Sequence, residues 1–130
     1  QYAVDVLEVE HVIVCGHDQC GGVKAALTHR SYGPLNKWLR NIKDVYRMHR
    51  AEIDGAPEAE RVQRLVEWNI REQVENLTKT SVIQRAWHEH RRPWLHGWVY
   101  SLDDGILREL VAVAPGTPID PIYQFDFADE

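Results

Sequence analysis

A chain of 130 residues with 44% hydrophobic and 27% charged positions is long enough, and apolar enough, to bury one core, which excludes a disordered or fibrous protein. A net charge of −5 with no basic block argues against a nucleic-acid partner, and no apolar run reaches membrane-spanning length. Two cysteines make no disulfide framework, so thiol chemistry here suits a reducing compartment, with the cytoplasm as the default.

In chain order, residues 1–9 read as a helix with Tyr2, Val4 and Leu7 inward. Residues 12–15 are β-branched and apolar, closed by Gly16, and read as a buried core strand. A loop from His17 to Cys20 leads through Gly21 and Gly22 into helix-forming residues 23–27. Residues 28–34 are a polar loop. Residues 35–50 form an amphipathic pattern in which Leu35, Trp38, Leu39, Ile42, Val45, Tyr46 and His49 recur at helical spacing. His49 on that stripe reads as a core-edge histidine rather than a ligand.

Residues 53–57, with Asp54-Gly55 and Pro57, read as a turn. Residues 58–78 are the longest helical pattern, with Val62, Leu65, Val66, Ile70, Val74 and Leu77 in phase. Asn69 and Gln73 share a face of it, and either tie the helix to a loop by hydrogen bonds or are simply solvated. Thr80 or Ser81 can cap a helix over residues 82–90 with Ile83, Ala86 and Trp87 inward. His88 and His90 lie in a polar connection and read as solvated. Residues 94–100 are a strand stopped by the Asp103-Asp104-Gly105 turn, and residues 106–113 pair or pack beside it. Pro115 and Pro118 break regular structure, leaving residues 114–130 as a tail that lies on the body or on a partner subunit. Strands alternating with helices make an α/β domain.

The chemistry concentrates at residues 15–22. A loop between a strand's carboxyl end and a helix's amino end is where open α/β sheets place ligand sites, and the helix end favours a thiolate. His17 and Cys20 are good zinc ligands that can close on one ion, but a zinc site needs three or four. Alone, this pair is a weak signal that more often describes a buried thiol beside a loop histidine. Cys15 shares a face with His17 and is either a third ligand or a small buried strand residue. The glycines match neither the P-loop nor the dinucleotide fingerprint. The four residues between Cys15 and Cys20 do not make a C-x-x-C redox pair.

The string Cys15 to Gly22, C-G-H-x-x-C-G-G, resembles the second zinc-ligand motif of the β-class carbonic anhydrases. Residues 1–11, 38–42, 69–77, 96–100 and 104–107 resemble further segments of that family in the same order. The resemblance implies an α/β fold with a mostly parallel sheet flanked by helices, incomplete at the N-terminus. It implies one domain over residues 1–130, the carboxyl-terminal part of a longer enzyme. The family's first motif, C-x-D-x-R, which supplies another cysteine ligand and an Asp–Arg pair, has no match here.

By the same resemblance His17 and Cys20 are metal ligands for Zn²⁺, Gly21 and Gly22 shape the site loop, and no catalytic residue beyond the ligands is present. The implied reaction is reversible hydration of carbon dioxide to bicarbonate and a proton through zinc-bound hydroxide. Tyr100 stands where some members carry the tyrosine of a non-catalytic bicarbonate pocket; the other reading is a plain strand tyrosine. The implied state is a homodimer or higher homo-oligomer, cytoplasmic, without nucleic-acid or membrane partners. The alternative is an inactive fragment or relic that acts through its oligomer interface.

Overall fold

The computed structural model describes residues 1–127. Its strands are β1 (His11–His17), β2 (Trp94–Tyr100) and β3 (Leu107–Val113). Its helices are α1 (Tyr2–Asp5), α2 (Gly21–Ala26), α3 (Asn36–Met48), α4 (Arg50–Gly55), α5 (Glu58–Thr78) and α6 (Ser81–His90). The sheet order is β1-β2-β3, with β1 parallel and β3 antiparallel to β2. The architecture is the expected α/β one, with a mixed sheet in which the single parallel pair carries the site loop and β1 is an edge. Among the described residues no helix is long and apolar enough to cross a membrane.

α5 is the central packing element. Its start carries Glu58 and Glu60 where the helix dipole favours acids. Its Leu65, Val66, Ile70 and Val74 are buried against the sheet. The approach is close because β1 and β2 present glycines to it. A Cβ at Gly16 would stand 2.6 Å from Ile70 Cδ1, and one at Gly97 would stand 2.9 Å from Ile70 Cγ2 and 2.8 Å from Val111 Cγ1. Two apolar clusters result, one under α2, α3 and α4, the other under α1 and α6. Thr80 caps α6 by accepting from Ile83 N–H, and the Trp87 indole N–H donates to the Pro93 carbonyl at 2.7 Å.

Side chains alternate along the strands. On β2, Leu95, Gly97 and Val99 are buried against the helices, while Trp94, His96, Trp98 and Tyr100 face outward. On β1 the outward set is His11, Ile13, Cys15 and His17.

Several expectations change. α1 is four residues long, ending before Glu8 takes a left-handed φ of 54°; Val4 is buried but Tyr2 and Leu7 are exposed. Cys15 is exposed, not a buried strand residue, because one face of β1 is uncovered. Residues 50–55 are helical despite Asp54-Gly55, and Ile53 is fully buried. The helical stripe of α3 is narrower than its spacing suggests: Leu39, Ile42 and Val45 are buried, whereas Leu35 and Trp38 are exposed. His49 stacks on Trp68 with ring centroids 3.6 Å apart, a core-edge position.

The tail past β3 is tied down by one buried side chain. The Gln84 amide donates to the carbonyls of Thr78 and Tyr123 and accepts from the Phe125 N–H, each at 2.9 Å. The last three residues of the 114–130 tail lie outside the described residues.

Candidate metal centre

β1 delivers His17 to the carboxyl end of the sheet, opposite Tyr100 at the end of β2. The parallel ladder runs one residue further, with Asp18 N–H donating to the Tyr100 carbonyl at 3.0 Å. Gln19 then takes a left-handed φ of 54°, which reverses the chain within two residues and leaves Cys20 as the N-cap of α2. The loop is therefore pinned at both ends: at one by a strand, at the other by a helix start.

His17 Nδ1 lies 2.7 Å from the Asp18 carbonyl oxygen. A carbonyl only accepts, so Nδ1 carries the proton and Nε2 keeps its lone pair. A backbone carbonyl of this kind commonly fixes the tautomer of a metal-binding histidine. Cys20 is half-buried, packed against the core under α2 and α3. The two glycines differ. A Cβ at Gly22 would meet the Trp38 ring at 2.7 and 2.9 Å, so glycine there lets the indole lie against the loop. A Cβ at Gly21 would meet nothing within 4 Å, so no packing within the described residues demands glycine at that position. The Gly22–Trp38 contact has no signal in the local sequence, since sixteen positions separate the pair.

His17 and Cys20 fit a zinc ion as two ligands, a neutral imidazole nitrogen and a sulfur. Among the described residues no group of three or more His, Cys, Asp or Glu side chains could hold a metal ion, so Cys15 does not complete the set. Its thiol is directed at the Gly16 carbonyl, 3.5 Å away. His90 lies 3.4 Å from Glu89, at the end of α6.

Tyr100 faces outward beside His17, with its hydroxyl 3.4 Å from where a Gly105 Cβ would be. In the turn that follows, Asp104 Oδ1 accepts from Ile106 N–H at 2.9 Å, and this bond draws the Asp104 pKa below the usual carboxylate value. An open cleft of about 360 Å³ borders the loop, lined by Asp18, Gln19, Gln63, Ser101, Asp103 and Arg108. A larger one, about 510 Å³, lies between α3 and α5. Asn69 and Gln73 line it, and Gln73 Nε2 donates to Asn69 Oδ1 at 3.3 Å, a bond within α5 rather than a tie to a loop.

The carbonic anhydrase family model matches residues 1–107. The chain belongs to the β-class carbonic anhydrases. It is 49% identical over 120 residues to a carbonic anhydrase of Emericella nidulans, covering 92% of this chain and 53% of that protein. It is 35% identical to one from Pseudomonas aeruginosa, covering 81% and 48%. Among solved structures, the β-carbonic anhydrase CafA of Aspergillus fumigatus matches with a TM-score of 0.79 at 39% identity, covering 84% of this chain and 52% of that one. A tetrameric β-carbonic anhydrase of Sordaria macrospora matches with a TM-score of 0.80 at 33% identity, covering 87% and 58%. The chain thus spans about half the length of the carbonic anhydrases it matches.

Proposed function

We propose that this chain supplies two zinc ligands, His17 and Cys20, to a β-carbonic anhydrase that interconverts carbon dioxide and water with bicarbonate and a proton. The observation that carries this reading is the His17–Cys20 loop, in which the imidazole is anchored through Nδ1 and leaves Nε2 free. Zinc bound there supplies a Lewis acid that makes hydroxide available near neutral pH. The chain's own residues do the positioning. Asp18 carbonyl holds the His17 ring, β1 pairing with β2 sets its height, and Trp38 against Gly22 braces the loop. Asp18 and Gln19 border the cleft beside it.

A catalytic zinc takes three protein ligands, and among the described residues no third side chain joins His17 and Cys20. The hydration activity accordingly requires a further ligand and the Asp–Arg pair of the family's C-x-D-x-R motif, which has no counterpart here. We assign the working state to a homo-oligomer, in line with the tetrameric Sordaria relative. A thiolate ligand suits the cytoplasm. Tyr100, next to His17 on the outer face, is assigned to a bicarbonate-binding position. A second reading, an inactive chain working through its interface, draws support from the same two-ligand count.

The test is cobalt substitution. Cobalt(II) bound at this loop gives a thiolate-to-metal charge-transfer band that Cys20→Ser abolishes and His17→Ala weakens. A band that persists in Cys20→Ser contradicts the ligand assignment. Carbon dioxide hydration by the 130-residue chain alone at a normal enzyme rate contradicts the missing-part claim.

A further inference from the structure

The outer face of the sheet holds a second convergence of ligating atoms, at the far end of β1. His11 precedes His17 by six residues, about 20 Å along a strand at the usual rise. His11 Nδ1 and His96 Nε2 approach to 3.0 Å across the β1–β2 pairing. Behind them, His96 Nδ1 lies 3.0 Å from Glu109 Oε2 on β3. The Trp98 indole N–H donates to that same oxygen at 3.0 Å. Three strands are joined by one hydrogen-bonded line.

The chemistry of each atom follows. An ionised carboxylate only accepts, so His96 Nδ1 carries the proton and Nε2 presents a lone pair to His11. A carboxylate behind an imidazole whose other nitrogen is free is the arrangement that orients metal-binding histidines and raises their basicity. The indole N–H keeps the carboxylate in place and ionised: Trp98 first, then His96, draws the Glu109 pKa below the usual value. Two imidazole nitrogens on one tetrahedral zinc, each 2.0–2.1 Å from it, stand about 3.3–3.4 Å apart. The observed 3.0 Å is within a few tenths of that spacing. The His96 side chain is largely covered and His11 is exposed, so one side is open to water.

We propose that His11 and His96 form a second, labile site for a late first-row divalent cation such as zinc or nickel, bridging β1 to β2, with Glu109 as the carboxylate behind His96 and water completing the coordination. Imidazole donors favour these ions over calcium or magnesium. The balance is simple. In the neutral pair, binding moves the proton between the rings from His11 Nδ1 to His11 Nε2, so atoms and charge balance. An occupied site staples the edge strand that ends at His17. It does not depend on the His17–Cys20 loop.

The test is a zinc titration of the full chain carrying His17→Ala and Cys20→Ser, read from the ¹⁵N resonances of its histidine rings. The expected result is a saturable one-to-one shift at His11 and His96, with His29, His49, His88 and His90 unmoved. His11→Asn, an exposed change that removes the ligand nitrogen, abolishes the shift. Glu109→Gln weakens binding by about 10- to 100-fold. No zinc-dependent shift at the two rings, or zinc uptake unchanged by His11→Asn, overturns the proposal. Because the loop ligands are absent from the tested chain, neither result bears on the metal-centre assignment.

Discussion

The two faces of β2 are built from the same seven residues and do opposite things. Leu95, Gly97 and Val99 are sealed against α5 and its neighbours, and a Cβ at Gly97 would stand within 3.1 Å of Val111, Ile70 and Val74. Trp94, His96, Trp98 and Tyr100 stand on the open side, where His96 meets His11 of β1 and both His96 and Trp98 bond Glu109 of β3. One face is shaped by packing and has no room for chemistry. The other holds His17, Tyr100, Cys15, His11 and His96 and contributes little to the core. An enzyme sheet can divide its work this way because strand side chains alternate, so substitutions on one face need not disturb the other.

That division can be broken most sharply from the sealed side. Leu95 is fully buried, and Leu95→Ala is expected to cost about 2–5 kcal/mol by lost transfer energy and cavity formation. A urea midpoint that barely moves would show that α5 does not pack as described. Gly97→Ala comes next. Its new methyl meets Val111, Ile70 and Val74 within 2.8–3.1 Å, and an expected loss of about 1–3 kcal/mol follows from overpacking. On the open face, Ile13→Ser is expected to stay within about 0.5 kcal/mol, since Ile13 is 46% exposed. A large effect there would mean that the outer face is covered, as an oligomer would cover it, and sedimentation would then show the assembly.

The smallest effect is a pH dependence. Asp104 and Glu109 both have folded pKa values below the ordinary ones, Asp104 through the Ile106 N–H and Glu109 through Trp98 and His96. A carboxylate held low contributes stability above its unfolded pKa and loses it as pH falls through the folded value. The stability contributed by the β2–β3 hairpin is therefore expected to decline below about pH 4. The double variant Asp104→Asn, Glu109→Gln should flatten that decline in urea midpoints taken between pH 5 and pH 3.

Local pattern made part of this legible. α5 and β2 have the expected limits because a long 3.6-residue period and a β-branched, aromatic run leave little ambiguity. α4 was hidden by Asp54-Gly55, whose turn signal is overridden when Ile53 enters the core. The run Val12–Ile13–Val14–Cys15 looks buried throughout, yet an apolar run does not say how many layers cover it, and only one does here. The proposed metal loop is legible because His17 and Cys20 are close in sequence. The Gln84 clamp on the tail and the His11–His96 pair, 85 residues apart, are products of the fold and leave no local trace.

The proposed zinc loop at the end of the open face draws two ligands, His17 and Cys20, from the described residues. The direct measurement is the zinc content of the purified 130-residue chain after dialysis against metal-free buffer. The account predicts far less than one zinc per chain, because two protein ligands hold zinc weakly. One retained zinc per chain, lost in Cys20→Ser, would show that a third ligand is present and contradict it.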